Sequence, residues 1–389
     1  MSLAIVHDYL HQFGGAEKVV ETWLEMYPEA VVHTLVFLPD KFAASPAITK
    51  AHREGRIRTT WVQHWLPRLP RYFKHFFWLY PLVMSGVEIS GYETVLISST
   101  YCAKNVRIEG ASQIIHYCHS PTRFLHDLVT GTDHSSLSLG YRLLIPLLKP
   151  FLRWLDLRAV KELRARDTVW VANSHFIQGV IQSVYGVESS VVYPPIELAK
   201  FAGISRRPFV GEDAYYLCHG RISFHKRLDL AIEACLRSGR RLKISGTSAL
   251  PAEEAGLRRL VADYEAAHPE ASGRVEFFGR TTDAQVEQLI KHARGFIFPG
   301  KEDFGIAPLE MIAGGLGIVA YQEGGALEYV RPGINGVFFP EQTVHSLLAA
   351  LDEFESLTLN VPTLRQTTEP FSSECFRENF AMLINKNAD

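Results

Sequence analysis

Short runs of aliphatic and β-branched residues alternate along this chain with longer segments whose apolar positions recur at helical spacing. The short runs have the character of strands buried on both faces, and the longer segments that of amphipathic helices covering them. The rhythm predicts strands over 3–7, 31–37, 94–98, 113–118, 168–172 and 191–193, then a second series over 215–219, 241–245, 274–278, 295–299 and 317–321. Two such series predict an α/β protein of two Rossmann-like, doubly wound domains. Between them stands Tyr193-Pro194-Pro195, where consecutive prolines fix φ, remove two donors and leave a stiff extended connector. Beyond the second series, 370–385 predicts an amphipathic helix with Phe371, Cys375, Phe376, Phe380 and Leu383 near one face. The expected organisation is therefore 1–195, 196–369 and a C-terminal helix over 370–389.

Composition narrows the partners. A chain of 389 residues, 47% hydrophobic and 21% charged, can build two cores. A net charge of -2 leaves no surplus of Lys and Arg for a polyanion, so no nucleic-acid partner is expected. The five cysteines are scattered, without a C-x-x-C pair or the spacing of a zinc site, which fits a reducing, cytoplasmic setting. No signal peptide is recognised, and no apolar run approaches the roughly 20 residues that cross a bilayer.

Candidate chemistry clusters where strands give way to helices. Following 295–299 comes Glu302-Asp303-Phe304-Gly305-Ile306-Ala307-Pro308-Leu309-Glu310, with Glu302 in the loop and Glu310 on the next helix. Carboxylates there can accept hydrogen bonds from sugar and ribose hydroxyls, and Gly305 lets backbone N–H groups approach a ligand. After 215–219 stands Gly220-Arg221-Ile222-Ser223-Phe224-His225-Lys226, whose guanidinium and ammonium can both reach a diphosphate at a helix start. Gly14-Gly15, between the first strand and first helix, lets a loop lie close to a phosphate or sugar. Taken singly, each has an ordinary explanation as surface glutamates, a solvated basic loop or a turn. The dinucleotide fingerprint G-x-G-x-x-G is absent from the Gly-Gly turn.

In this order and combination the motifs resemble the retaining glycosyltransferases of family 4, of GT-B architecture, and in particular its bacterial mannosyltransferase-like members that build O-antigen and other surface polysaccharides. The resemblance extends over nearly the whole chain. It includes Ile5-Val6-His7-Asp8-Tyr9, Phe13-Gly14-Gly15-Ala16-Glu17-Lys18, Tyr117-Cys118-His119-Ser120-Pro121-Thr122-Arg123, Ala172-Asn173-Ser174, Val192-Tyr193-Pro194-Pro195, Phe278-Gly279-Arg280 and the E-x7-E pair Glu302 and Glu310.

The resemblance implies an N-terminal acceptor domain and a C-terminal nucleotide-sugar domain facing a cleft, with the last helix packing back on the first domain. It implies that Arg221 and Lys226 hold the donor diphosphate, that Glu302 holds the transferred sugar, and that Glu310 binds the ribose. Backbone groups of Phe304, Gly305 and Ile306 would meet sugar and phosphate oxygens, with Gly14, Gly15, Gly220, Arg280 and Asp303 completing the donor site. His119 would lie near the transferred sugar, although it stands before Ser-Pro rather than the commoner Asp. Asp303 also departs from the glycine many relatives carry.

The implied reaction moves a hexose from a nucleoside-diphosphate sugar with retention. GDP-mannose is the favoured donor and a UDP-hexose the runner-up, and the acceptor is a lipid-linked saccharide or oligosaccharide. Cationic side chains replace a metal in this reading, no D-x-D pair is present, and no cofactor beyond the substrate is implied. A short-chain oxidoreductase or epimerase would need Tyr-x-x-x-Lys, and no tyrosine here has lysine four residues on. A non-catalytic carbohydrate-binding protein of the same fold should have lost Arg221, Lys226 or Glu302. Two aromatic and basic segments, 61–78 and 141–154, suggest contact with the inner face of the cell membrane. Packing of the same aromatics into the core is the alternative.

Overall fold

A computed structural model describes residues 2–65, 76–128, 139–248 and 250–386. The chain divides into two compact units, Met1–Pro195 with Ser373–Asp389, and Ile196–Ser372. The first unit runs β1 (Leu3–His7), α1 (Gly15–Met26), β2 (Val31–Thr34), α2 (Pro46–Arg53), β3 (Ile57–Thr59), α3 (Tyr80–Ser85), β4 (Glu88–Ser90), β5 (Thr94–Ser99), β6 (Arg107–Glu109), β7 (Gln113–Cys118), α4 (Leu139–Arg164), β8 (Val169–Ala172), α5 (His175–Tyr185) and β9 (Ser190–Val191). The second runs α6 (Ala199–Ala202), β10 (Tyr215–His219), α7 (Leu228–Arg237), β11 (Arg241–Ser245), α8 (Pro251–Ala267), β12 (Val275–Gly279), α9 (Asp283–His292), β13 (Gly295–Phe298), α10 (Ile306–Ala313), β14 (Ile318–Tyr321), α11 (Ala326–Tyr329), β15 (Gly336–Phe339), α12 (Val344–Ser356) and α13 (Val361–Gln366). The chain then returns to the first unit as α14 (Ser373–Lys386).

Each unit is a parallel sheet between helices. The first has the order β3-β2-β1-β5-β7-β8-β9 and the second β12-β11-β10-β13-β14-β15, so both reverse direction beside their first strand. At such a reversal the loops leaving two neighbouring strands diverge to opposite faces and leave a crevice at the strands' carboxyl ends. In the first unit that crevice lies between β1 and β5, and in the second between β10 and β13.

The sheets are buried throughout where they are central. β1 is buried at every position, as are β5, β7 and β13. α14 covers one face of the first sheet, with the Phe380 ring 5.0 Å from Trp23 and Gln113 Nε2 donating to the Ile384 carbonyl at 2.8 Å.

Three expectations need correction. The strand expected over 31–37 ends at Thr34, because beyond it only an isolated bridge between Leu10 and Phe37 continues the ladder. The C-terminal helix begins at Ser373 rather than 370, and residues 370–372 belong to the second unit. Phe371 accordingly is not on that helix; it packs 5.9 Å from Phe304 and 6.2 Å from Tyr329, while Phe376, Phe380 and Ile384 form the buried face of α14.

Candidate functional site

In the second unit the two loops at the sheet's reversal carry opposite charges into contact. Lys226 follows β10 and Glu302 follows β13, and the ammonium lies 2.7 Å from Glu302 Oε1. Both side chains are largely but not fully buried, so the pair sits in a recess rather than on open surface. Three glycines let the loops close on each other. Gly220 has φ +121°, and a Cβ there would stand 3.3 Å from Lys226 Nζ. Gly246 has φ +138°, and a Cβ would collide with the Gly220 carbonyl oxygen. Gly305 has φ +89°, and a Cβ would stand 2.8 Å from the Tyr329 hydroxyl. A side chain at any of these would be strained and would push the loops apart.

Gly305 also precedes α10, so the backbone N–H groups of that helix start are presented beside Glu302. Phe304 is buried against Tyr329 and Phe371 and anchors the loop, and the loop is latched again where Gly325 N–H donates to the Glu302 carbonyl at 2.8 Å. Asp303 and Ile306 are half-buried on either side of that anchor. Glu310 lies farther along α10, and burial pushes its carboxyl up to about 7, opposed by nearby Lys200. Arg221 is exposed at the head of the β10 loop. Arg280, also exposed, follows β12, two strands from β10 in the sheet.

In the first unit Gly14 caps α1 in extended conformation, and Glu17 in the helix's first turn lies beneath it. His119 follows β7, with its backbone held on both sides: its N–H donates to the Ser99 carbonyl at 3.1 Å, and its carbonyl accepts from Asn173 Nδ2 at 3.0 Å. Burial, reinforced by His7, lowers its imidazole to about 4. The structure thus groups Gly220, Lys226, Glu302, Phe304 and Gly305 at one reversal, and Gly14, Gly15 and His119 near the other.

Reading the sequence missed several residues that shape these loops. Asp8, at the end of β1, accepts from the backbone of Thr100, Tyr101 and Ala103 at 2.7–2.9 Å and so pins the loop after β5. Lys104 and Asp156 form a fully buried ion pair at 2.7 Å, and Asp156 also accepts from Thr122, Tyr185 and the His126 ring at 2.8–2.9 Å. That cluster fastens the loop after β7 to α4 and α5. A lone Asp beside a strand end was the visible signal for Asp8; nothing in spacing joins Lys104 to Asp156. Among the described residues no group of three or more His, Cys, Asp or Glu is placed to hold a metal ion.

Residues 204–368, within the second unit, match the family model described as Glycosyl transferases group 1. Over 256 residues, 56% of this chain, the sequence is 25% identical to alpha-1,3/1,6-mannosyltransferase ALG2 of Kluyveromyces lactis, and the match spans 48% of that protein's length. The whole fold is similar to Anabaena HepE in complex with UDP and glucose, at a TM-score of 0.65 with 16% identity and 99% of both chains covered. It is similar also to the lipopolysaccharide outer core galactosyltransferase WaaB, at a TM-score of 0.64 with 17% identity and 99% of both chains covered. The architecture, two domains each built on a parallel α/β sheet, is that of the GT-B glycosyltransferases.

Proposed function

We propose that this protein is a metal-independent, retaining glycosyltransferase that moves a hexose from a nucleoside-diphosphate sugar to a saccharide acceptor. The observation that carries the reading is the Lys226–Glu302 contact at the reversal of the second sheet, flanked by Gly220, Gly305 and the start of α10. One group suits a diphosphate and the other a sugar hydroxyl, so together they suit the junction between phosphate and sugar. As the anomeric C–O bond breaks, negative charge grows on the leaving diphosphate, and fixed cations with a helix start stabilise it without reorganisation. The acceptor hydroxyl attacks from the same face and its proton passes to the departing phosphate oxygen, giving a glycoside and a nucleoside diphosphate. Arg221 and Lys226 act on the phosphates, Glu302 on the sugar, and Glu310 on the ribose.

Mannose is the first choice of sugar, supported by the motif resemblance and by the mannosyltransferase match. GDP-mannose is accordingly the favoured donor. UDP-hexose is the second reading, favoured by the UDP bound in HepE. The acceptor in this proposal is lipid-linked, met at an anionic membrane surface.

Turnover of GDP-mannose and UDP-hexoses, followed as release of nucleoside diphosphate, tests the assignment. R221A and K226A should each lower kcat by about 10²–10³, the usual effect of deleting one preplaced charge at a leaving group. Near-wild-type turnover of either variant under saturating donor would remove the diphosphate site from this loop. Activity should persist in EDTA; loss that magnesium or manganese restores would overturn the metal-free mechanism.

A further inference from the structure

His7, Ser98 and His119 stand at or just beyond the carboxyl ends of β1, β5 and β7, three adjacent strands of the first sheet, and their side chains touch in series. His7 Nδ1 lies 3.2 Å from the Ser98 carbonyl oxygen and 3.0 Å from Ser98 Oγ. Ser98 Oγ lies 2.8 Å from His119 Nε2. Behind the chain, Glu17 Oε1 is 3.8 Å from His7 Nε2. All four residues are buried.

The direction of these bonds follows from what each atom can do. A carbonyl oxygen only accepts, so His7 Nδ1 must carry a proton where it faces Ser98. Ser98 Oγ then accepts from that N–H and keeps its own hydrogen, which has no other acceptor among the described hydrogen bonds. It donates to His119 Nε2. Burial keeps the His119 ring neutral, and a neutral imidazole carries one proton.

We propose that Ser98 and His7 are positioning residues that lock His119 in the tautomer with its proton on Nδ1. The consequence is that His119 offers a fixed N–H donor, rather than a lone pair, to an oxygen of the sugar or acceptor. This rests on the reading of His119 as lying beside the transferred sugar.

Histidine-selective 15N labelling with long-range 1H–15N spectra reads the tautomer directly, the His119 signals being assigned by their loss in H119Q. In the wild type without donor, His119 should show a protonated Nδ1 and an unprotonated Nε2. S98A should release the ring toward the Nε2–H form and lower kcat about 10²-fold, as expected when a catalytic donor is lost, with KM for the donor within about twofold. S98T should restore both. A wild-type His119 protonated on Nε2, S98A spectra unchanged from wild type, or a shifted tautomer with unchanged kcat would each overturn the proposal. The wild-type spectrum needs no variant to fold. Because it is read without donor, it stands apart from the functional reading: the expected tautomer in a protein without transferase activity would sink the function alone.

Discussion

Burial holds the Glu310 carboxyl at about 7, against an ordinary value of 4.5. The folded state therefore binds this proton more tightly than the unfolded chain. Its stabilising effect is complete below pH 4.5 and is lost as pH rises through 7. E310Q, which mimics the protonated form, should abolish that loss and exceed the wild type by up to about 3 kcal/mol at pH 8, measured by urea unfolding. Binding should run the other way. A carboxylate accepts from both ribose hydroxyls better than its acid does. Affinity for a nucleotide sugar, whose diphosphate does not titrate in this range, should rise from pH 6 to pH 8 in the wild type and stay flat in E310Q. A wild-type affinity independent of pH would take Glu310 out of the ribose site. At this scale the sequence disclosed residue types near loops but not their partners. Lys226 and Glu302 meet across a long stretch of chain, and the His7–Ser98–His119 series is visible only once three strands lie side by side.

The loops after β10 and β11 cross where Gly246 meets Gly220, and no side chain fits there. G246A should destabilise the protein by at least about 2 kcal/mol, from combined left-handed strain and displacement of the Gly220 backbone. Donor affinity should fall with it, because the Gly220 backbone runs beside the Lys226 ammonium. Gly273 is the internal comparison: its φ is +73°, but nothing lies within 4 Å of a Cβ. G273A should cost about 1 kcal/mol and leave the donor site intact. Equal losses in the two variants, by urea unfolding and donor titration, would deny the crossing any special role. Element by element, strands buried on both faces were legible. β1, β7 and β10 have the bounds their apolar runs predict, as does β11, which mixes half-buried and buried positions. The short edge strands were not. β3 reads Ile-Arg-Thr and is partly exposed, β4 and β6 have three residues each and pair with each other in a separate two-stranded sheet, and β15 follows the breakers Pro332 and Gly333. α4 was obscured by Pro146 and Pro150, which lie inside one 26-residue helix.

At the scale of the whole molecule, the resemblance implied the fold that the matched structures share, whereas a small net charge of -2 hides a local asymmetry. The basic run around Arg68, Arg71 and Lys74 lies outside the described residues, but the second aromatic and basic segment is on α4. There Leu152, Leu155 and Leu163 face the core, while Leu147, Phe151, Trp154 and Leu157 are exposed. Arg153, Arg158 and Lys161 are exposed on the same helix, with the Arg158 guanidinium 5.6 Å over the Trp154 ring. The outer side of α4 thus carries large apolar side chains among an excess of cations, with one acid, Glu162, paired to Arg158 at 2.8 Å, and that composition enters the headgroup boundary of an anionic bilayer without crossing it. No described helix is long and apolar enough to cross a membrane. The protein should co-sediment with vesicles containing anionic lipid, less at high salt, and weakly with neutral ones. Each basic residue near such a surface is worth about 1 kcal/mol, so replacing Arg153 and Lys161 by Ala should weaken binding about 30-fold. Donor hydrolysis in solution should be unaffected, since neither residue belongs to the donor site. Recovery that is equal on neutral and anionic vesicles, or absent on both, would leave this face without a lipid partner and direct the search to a water-soluble acceptor.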